Sequence, residues 1–157
     1  MSAMPATILR VPKYLQPGQL HVAQVPTVLT TILGSCVAVC LWDMRQRIGG
    51  MNHFMLPQLA GAGIKSPRFG NVAMQELLDR MIAAGARLPY LRARVFGGSC
   101  MFELMKSSNH LGQKNIHLAL DFLSLRGIEI VQTEVGGDRG RKLRFHTDEG
   151  EAWSNSI

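Results

Sequence analysis

Apolar and polar positions along the chain change their period several times. From 19 to 33, Val, Leu and Thr recur with a break at Pro26, which predicts one or two strands. Two apolar segments follow, 36–43 and 48–56, separated by Asp43-Met44-Arg45-Gln46-Arg47. Turn chemistry between two β-rich runs predicts a hairpin, and Pro57 ends its second strand. Residues 58–70 are expected to be a loop. The period then becomes helical. Met74, Leu77, Leu78, Met81 and Ile82 form one apolar stripe, with Asn71 as the expected N-cap and Gly85 as the stop. Ile116, Ala119, Leu120 and Leu123 repeat the spacing, and Gly127 stops that helix. Between the helices lies a short strand, Leu91 to Phe96, followed by Gly97-Gly98-Ser99. Further strands are expected near 128–135 and 141–147. In the second of these, Lys142, Arg144 and His146 alternate with Leu143 and Phe145, so one face is wet.

This order of elements predicts an α/β (α+β) fold, a layered structure with a mixed or antiparallel sheet, an early β-hairpin and two main helices. An antiparallel hairpin ahead of the helices argues against a doubly wound parallel sheet. The 157 residues suit one domain spanning 1–157, with residues 1–17 loosely held. There is no internal repeat, and neither a G-x-G-x-x-G nor a P-loop pattern occurs.

Composition narrows the function class. The formal net charge is +6, which permits nucleic acid, anionic membrane or an acidic protein surface as a partner. Scattered basic residues and 6% aromatics supply few stacking platforms, so nucleic acid is not expected. The longest apolar run, Cys36 to Trp42, is far too short to span a bilayer, and no signal-peptide pattern opens the chain. A cytoplasmic protein without membrane insertion is expected. Three cysteines argue against a disulfide framework. On one strand, Cys36 and Cys40 would stand roughly 13 Å apart, too far to share an ion, so no metal is expected. The nine methionines lie mostly on apolar faces and are expected in the core.

The segment Thr30-Thr31-Ile32-Leu33-Gly34-Ser35-Cys36, with His53 in the second hairpin strand, carries candidate chemistry. In an antiparallel pair, facing residues share one sum of numbers. A two-residue turn pairs Cys36 with His53 directly. A four-residue loop sets them diagonally on one face, roughly 7–8 Å apart at the backbone. An even sum would place them on opposite faces, and all three registers stay open. On a shared face, the imidazole is expected to shift the thiol toward thiolate and to pass its proton to a leaving group. Gly34 permits a tight bend, and the amides around Ser35 and Cys36 suit an oxyanion. Cys40 lies deeper in the apolar run and is expected to be core. Cys100 follows Gly-Gly-Ser in a loop and is expected to be a bystander. His21, His110, His117 and His146 show no comparable partner.

Three pieces of the sequence, in order, are Leu33-Gly34-Ser35-Cys36-Val37-Ala38-Val39-Cys40-Leu41, Gly49-Gly50-Met51-Asn52-His53-Phe54-Met55-Leu56-Pro57 and Gly97-Gly98-Ser99-Cys100-Met101-Phe102. Together they resemble the CheD family of bacterial chemotaxis proteins, which deamidate chemoreceptor glutamines. The likeness runs from about Gly18 to about Phe145. Met44 departs from it, since many members carry proline after the aspartate. The resemblance implies a layered fold similar to the catalytic domain of cytotoxic necrotizing factor toxins and a Cys-His-Thr catalytic group. On this chain that group is Cys36 as nucleophile, His53 as acid and base, and Thr30 as the residue orienting the imidazole. The residues alone do not separate Thr30 from its neighbour Thr31. The resemblance further implies chemoreceptors as protein substrates and a CheC-type phosphatase as a partner. The same groups could also hydrolyse a glutamyl methyl ester, which passes through a similar tetrahedral intermediate, and no cofactor is expected.

Overall fold

The apolar run predicted as the first hairpin strand is buried on both faces, and the layers form around it. The computed structural model describes residues 8–58, 63, 65–102 and 110–157. In chain order the strands are β1 (Val11–Tyr14), β2 (Leu20–Val22), β3 (Thr27–Leu33), β4 (Val37–Asp43) and β5 (Ile48–Asn52). After helix α1 (Gly70–Ala83) come β6 (Leu91–Gly97), helix α2 (Leu111–Leu125), β7 (Glu129–Val135), β8 (Arg141–His146) and β9 (Glu151–Ser156). Much of the expected loop at 58–70, residues 59–62 and 64, lies outside the described residues. One sheet has the order β2-β5-β4-β6-β7 and the other β1-β3-β8-β9. Both are mixed, because β6 pairs with β7 and β1 with β3 in parallel while the remaining pairs are antiparallel.

Period 2 along β4 divides its side chains between two cores. Val37, Val39 and Leu41 pack with Leu77, Met81 and Leu123 of the helices. Ala38 and Cys40 pack with Leu29, Leu33, Leu143 and Phe145 of the other sheet. A strand covered on both faces has no wet side, which explains its unbroken apolar run. Each such Leu or Phe, fully withdrawn from water, stabilises the fold by about 1.5–3 kcal/mol. The layers therefore run helices, five-stranded sheet, four-stranded sheet.

The hairpin has the four-residue loop. Cys40 pairs with Met51, Leu41 with Gly50 and Asp43 with Ile48, all with one common sum. Asp43 shapes the loop. Burial alone would raise its pKa, but the backbone N–H groups of Gln46, Arg87 and Arg45 donate to its carboxylate and hold it below the usual range.

The helical stripes are as expected at Met74, Leu77, Leu78 and Met81, and at Ile116, Ala119 and Leu123. On β8, Lys142 and Arg144 are exposed and Leu143 and Phe145 buried. Several expectations are corrected. Ile82 is exposed, and α1 starts at Gly70, capped by the Phe69 backbone with no side-chain bond, so Asn71 lies inside the helix. The N-terminal segment expected to be loosely held contains β1, and the next residue, Leu15, is fully buried. No pattern in the sequence predicts strand β9. All four residues of β1 are exposed, and Ala152 is the one buried residue of β9, so neither strand has an apolar rhythm to read. Both are held by backbone pairing to β3 and β8.

The first turn of α2 sits directly on the end of β6. A Cβ added to Gly112 would collide with the Gly98 carbonyl and come within 2.7 Å of the Ser99 oxygen, both rigid backbone. Two effects compete in Gly112→Ala. Alanine gains at most about 1 kcal/mol of helix propensity, whereas overpacking costs about 1–3 kcal/mol. Overpacking should win, and urea unfolding is expected to show net destabilisation.

Candidate active site

The loop Gly34-Ser35-Cys36 carries the chain from the four-stranded sheet into the five-stranded one. All three of its carbonyls are tied down. Gly34 O accepts from Ser99 N at 2.9 Å, Cys36 O from Gly98 N at 2.8 Å and Ser35 O from Asn115 Nδ2 at 3.0 Å. Gly97 and Gly98 have φ of +103° and +70°, and a Cβ on Gly97 would strike the Cys36 carbonyl. Only glycine allows this approach. Because the peptide is planar and trans, each N–H points opposite to the carbonyl before it. The Ser35 and Cys36 N–H groups therefore point away from Ser99 and Asn115.

His53 lies just past the end of β5. Val37 bridges Phe54, and these two residues exchange both backbone bonds at 3.0 and 3.1 Å. Extending that register places Cys36 and His53 diagonally on the face opposite Val37 and Phe54. This is the face of Ala38, Cys40 and Met51, turned toward the other sheet. The backbone of His53 is pinned from β2's approach, accepting from Gly18 N and donating to Gln19 O.

From the opposing sheet, Thr31 Oγ1 reaches His53 Nδ1 at 2.6 Å and the Leu15 carbonyl at 2.8 Å. A hydroxyl has one proton. A carbonyl can only accept, so the hydroxyl donates to Leu15 and must accept from the ring. Nδ1 therefore carries the hydrogen, and the neutral ring's lone pair sits on Nε2. Nε2 is buried and has no hydrogen-bond partner among the described residues. The Nδ1 contact is made by Thr31, where the resemblance implies Thr30. Along β3 the residues 27, 29, 31 and 33 face inward, so Thr31 is buried while Thr30 faces outward between Tyr14 and Arg144. The Thr30 carbonyl accepts from Leu15 N at 2.9 Å.

Burial sets the resting protonation. It pushes the Cys36 thiol up, with its own backbone N–H opposing, and pushes His53 down to about 4. Both directions favour a neutral thiol and a neutral imidazole at rest, where pairing was expected to give thiolate. Cys40 is buried in the core between the sheets, and its pKa is raised by desolvation. Cys100 is buried in the turn after β6, where its Sγ donates to Phe102 O at 3.4 Å. A cavity of about 200 Å³ adjoins the Gly34-Ser35-Cys36 loop, lined by Ser35, Ser99, Cys100, Met101, Phe102 and Leu111 among others. Sequence reasoning misses Asn115, whose only signal is a polar residue beside Ile116 on the helical stripe.

A family model described as CheD chemotactic sensory transduction matches residues 55–156. A protein of Anaeromyxobacter dehalogenans (strain 2CP-C), named "Probable chemoreceptor glutamine deamidase CheD 1", is 48% identical over 144 residues, which is 92% of this chain and 84% of that one. Proteins named "Probable chemoreceptor glutamine deamidase CheD" are similar too. That of Trichlorobacter lovleyi is 45% identical over 87% of this chain and 85% of its own, and that of Sulfurimonas denitrificans 42% over 88% and 89%. Among the described residues no helix is long and apolar enough to cross a membrane.

The tautomer is directly observable. Nitrogen NMR at neutral pH is expected to find His53 protonated at Nδ1. Thr31→Val should lose that preference and Thr30→Val keep it. Acid stability is a second readout. The folded state holds His53 at about 4 and the unfolded chain near 6.5, so the unfolded state binds more protons between them. This contribution is complete above about pH 6.5 and is lost as pH falls toward 4, amounting to about 3 kcal/mol. His53→Gln should flatten the pH dependence of urea stability by that order across the same window.

Proposed function

Because the chain belongs to the CheD family, we propose that it deamidates specific glutamine side chains of chemoreceptors to glutamate, with Cys36 as nucleophile and His53 as acid and base. The observation that carries this reading is the buried, unpartnered His53 Nε2, whose lone pair is set by the Thr31 contact. A base held neutral and hydrogen-bonded only on its far nitrogen is ready to take one proton.

The steps follow from the resting state. Cys36 Sγ attacks the carboxamide carbon as Nε2 removes the thiol proton, so thiolate forms during attack. The oxyanion of the tetrahedral intermediate is stabilised by the Ser35 and Cys36 N–H groups, in the loop where Gly34 permits the bend. The imidazolium gives its proton to the departing nitrogen, and ammonia leaves a thioester. Water attacks the thioester while Nε2 takes a proton from it, and that proton returns to sulfur as glutamate is released. A glutamyl methyl ester would follow the same path with methanol leaving. Thr31 takes the orienting role that resemblance assigned to Thr30: it holds the ring in the required tautomer and favours the imidazolium. No step calls for a cofactor or metal.

The reaction belongs in the cytoplasm, and the formal net charge of +6 favours encounter with acidic, glutamate-rich receptor helices, through rate more than specificity. Binding to a CheC-type phosphatase, which the family resemblance implies, would need a surface and not the thiol.

Cys36→Ser tests the proposal. The swap is nearly isosteric, but a serine hydroxyl ionises far less readily than a thiol, so conversion of receptor glutamine should stop in a folded protein. Mass spectrometry of a receptor cytoplasmic fragment measures conversion, with circular dichroism as the folding control. Cys100→Ser should convert at the wild-type rate. A folded Cys36→Ser protein with wild-type conversion would overturn the mechanism and leave a binding role.

A further inference from the structure

We infer that Asn115 is a positioning residue that holds the nucleophile loop and the histidine segment in register; the inference rests on the catalytic roles proposed above for Cys36 and His53. The last backbone bonds joining the two hairpin strands are those between Val37 and Phe54. Beyond them the chain carries Ser35 and Cys36 on one side and Met55 on the other. Asn115 spans this gap. Its Nδ2 donates to Ser35 O at 3.0 Å and to Met55 O at 3.0 Å, one residue before the nucleophile and two after the histidine. Both partners are carbonyls and can only accept, so the orientation of the amide group is determined.

The clamp is itself rigidly placed. Asn115 is fully buried on α2, between Gly112, which abuts the Gly98 and Ser99 backbone, and Ile116, against which a Cβ on Gly98 would collide. Gly98 and Ser99 in turn bond the Cys36 and Gly34 carbonyls. Helix α2, the glycine turn and the nucleophile loop thus form one unit, and Asn115 is the member that also grips the histidine side. Fixing Ser35 O fixes the Cys36 N–H, which lies in the same peptide plane and faces the developing oxyanion. The two catalytic side chains stand diagonally across the hairpin, so a small shift of either segment changes their separation directly.

Asn115→Asp keeps the volume and removes both donors, turning a carboxylate toward two carbonyls. The variant is compared with wild type and His53→Gln by two independent readouts, with near-UV circular dichroism reporting the folded fraction. The first is deamidation of a receptor cytoplasmic fragment. At full folded fraction kcat is expected to fall about 10²-fold, the scale of a 1 Å misplacement, with KM little changed. The second is the pH profile of Cys36 alkylation by iodoacetamide, in a Cys40→Ala, Cys100→Ser background, which needs no substrate. Asn115→Asp should take on the profile of His53→Gln. If Asn115→Asp does not fold, Asn115→Ser, too short to reach both carbonyls, is read the same way. A folded variant with wild-type kcat and alkylation overturns the inference. So does activity lost only in proportion to the unfolded fraction. Wild type that fails to deamidate, yet shows alkylation dependent on both His53 and Asn115, would overturn the proposed reaction while upholding the positioning role.

Discussion

Burial of β4 on both faces is the constraint from which the rest of the arrangement follows. A strand with Val37, Val39 and Leu41 on one side and Ala38 and Cys40 on the other must be covered twice, by helices and by a second sheet. The chain can enter that layer only at its ends. At the N-terminal end it crosses from one sheet to the other through Gly34-Ser35-Cys36, and this crossing leaves Cys36 only partly buried while Cys40, four residues on, is enclosed. The same alternation that fills the core between the sheets aims Cys36, His53 and Thr31 into the gap between them.

Within that gap, a single hydroxyl proton decides the chemistry available. Thr31 gives its hydrogen to the Leu15 carbonyl and so accepts from Nδ1, leaving the Nε2 lone pair free. Burial then keeps the ring and the thiol neutral at rest. The proposed reaction needs the charge only while the carboxamide is under attack.

Support for the loop comes from far along the chain. Gly97, the last residue of β6, and Gly98 just after it let backbone touch backbone, and the rest of β6 pairs with β4 itself. Helix α2 closes the unit through Gly112 and Asn115. The motif Gly97-Gly98-Ser99 thus supports the Gly34-Ser35-Cys36 loop through its backbone.

How much of this was legible in the chain depends on whether the signal was local. The period-2 and period-3.6 patterns arise from each segment's own side chains, so the hairpin, the stripes of α1 and α2 and the wet face of β8 could all be read. The motif around Cys36 and His53 could be read too, because a short bend and a strand position are local. Strands β1 and β9 could not, since they bury almost no side chains and are held by backbone bonds to partners chosen elsewhere. The hairpin register rested on a loop length that Asp43 sets by capturing N–H groups from Gln46, Arg45 and the distant Arg87. Thr30 and Thr31 are chemically identical neighbours. Only the packing of β3 against the other sheet, which turns odd-numbered residues inward, brings Thr31 to the imidazole. Asn115 was invisible for the same reason: its two carbonyl partners are 80 and 60 residues away along the chain, and only the folded layers bring them within reach of one amide.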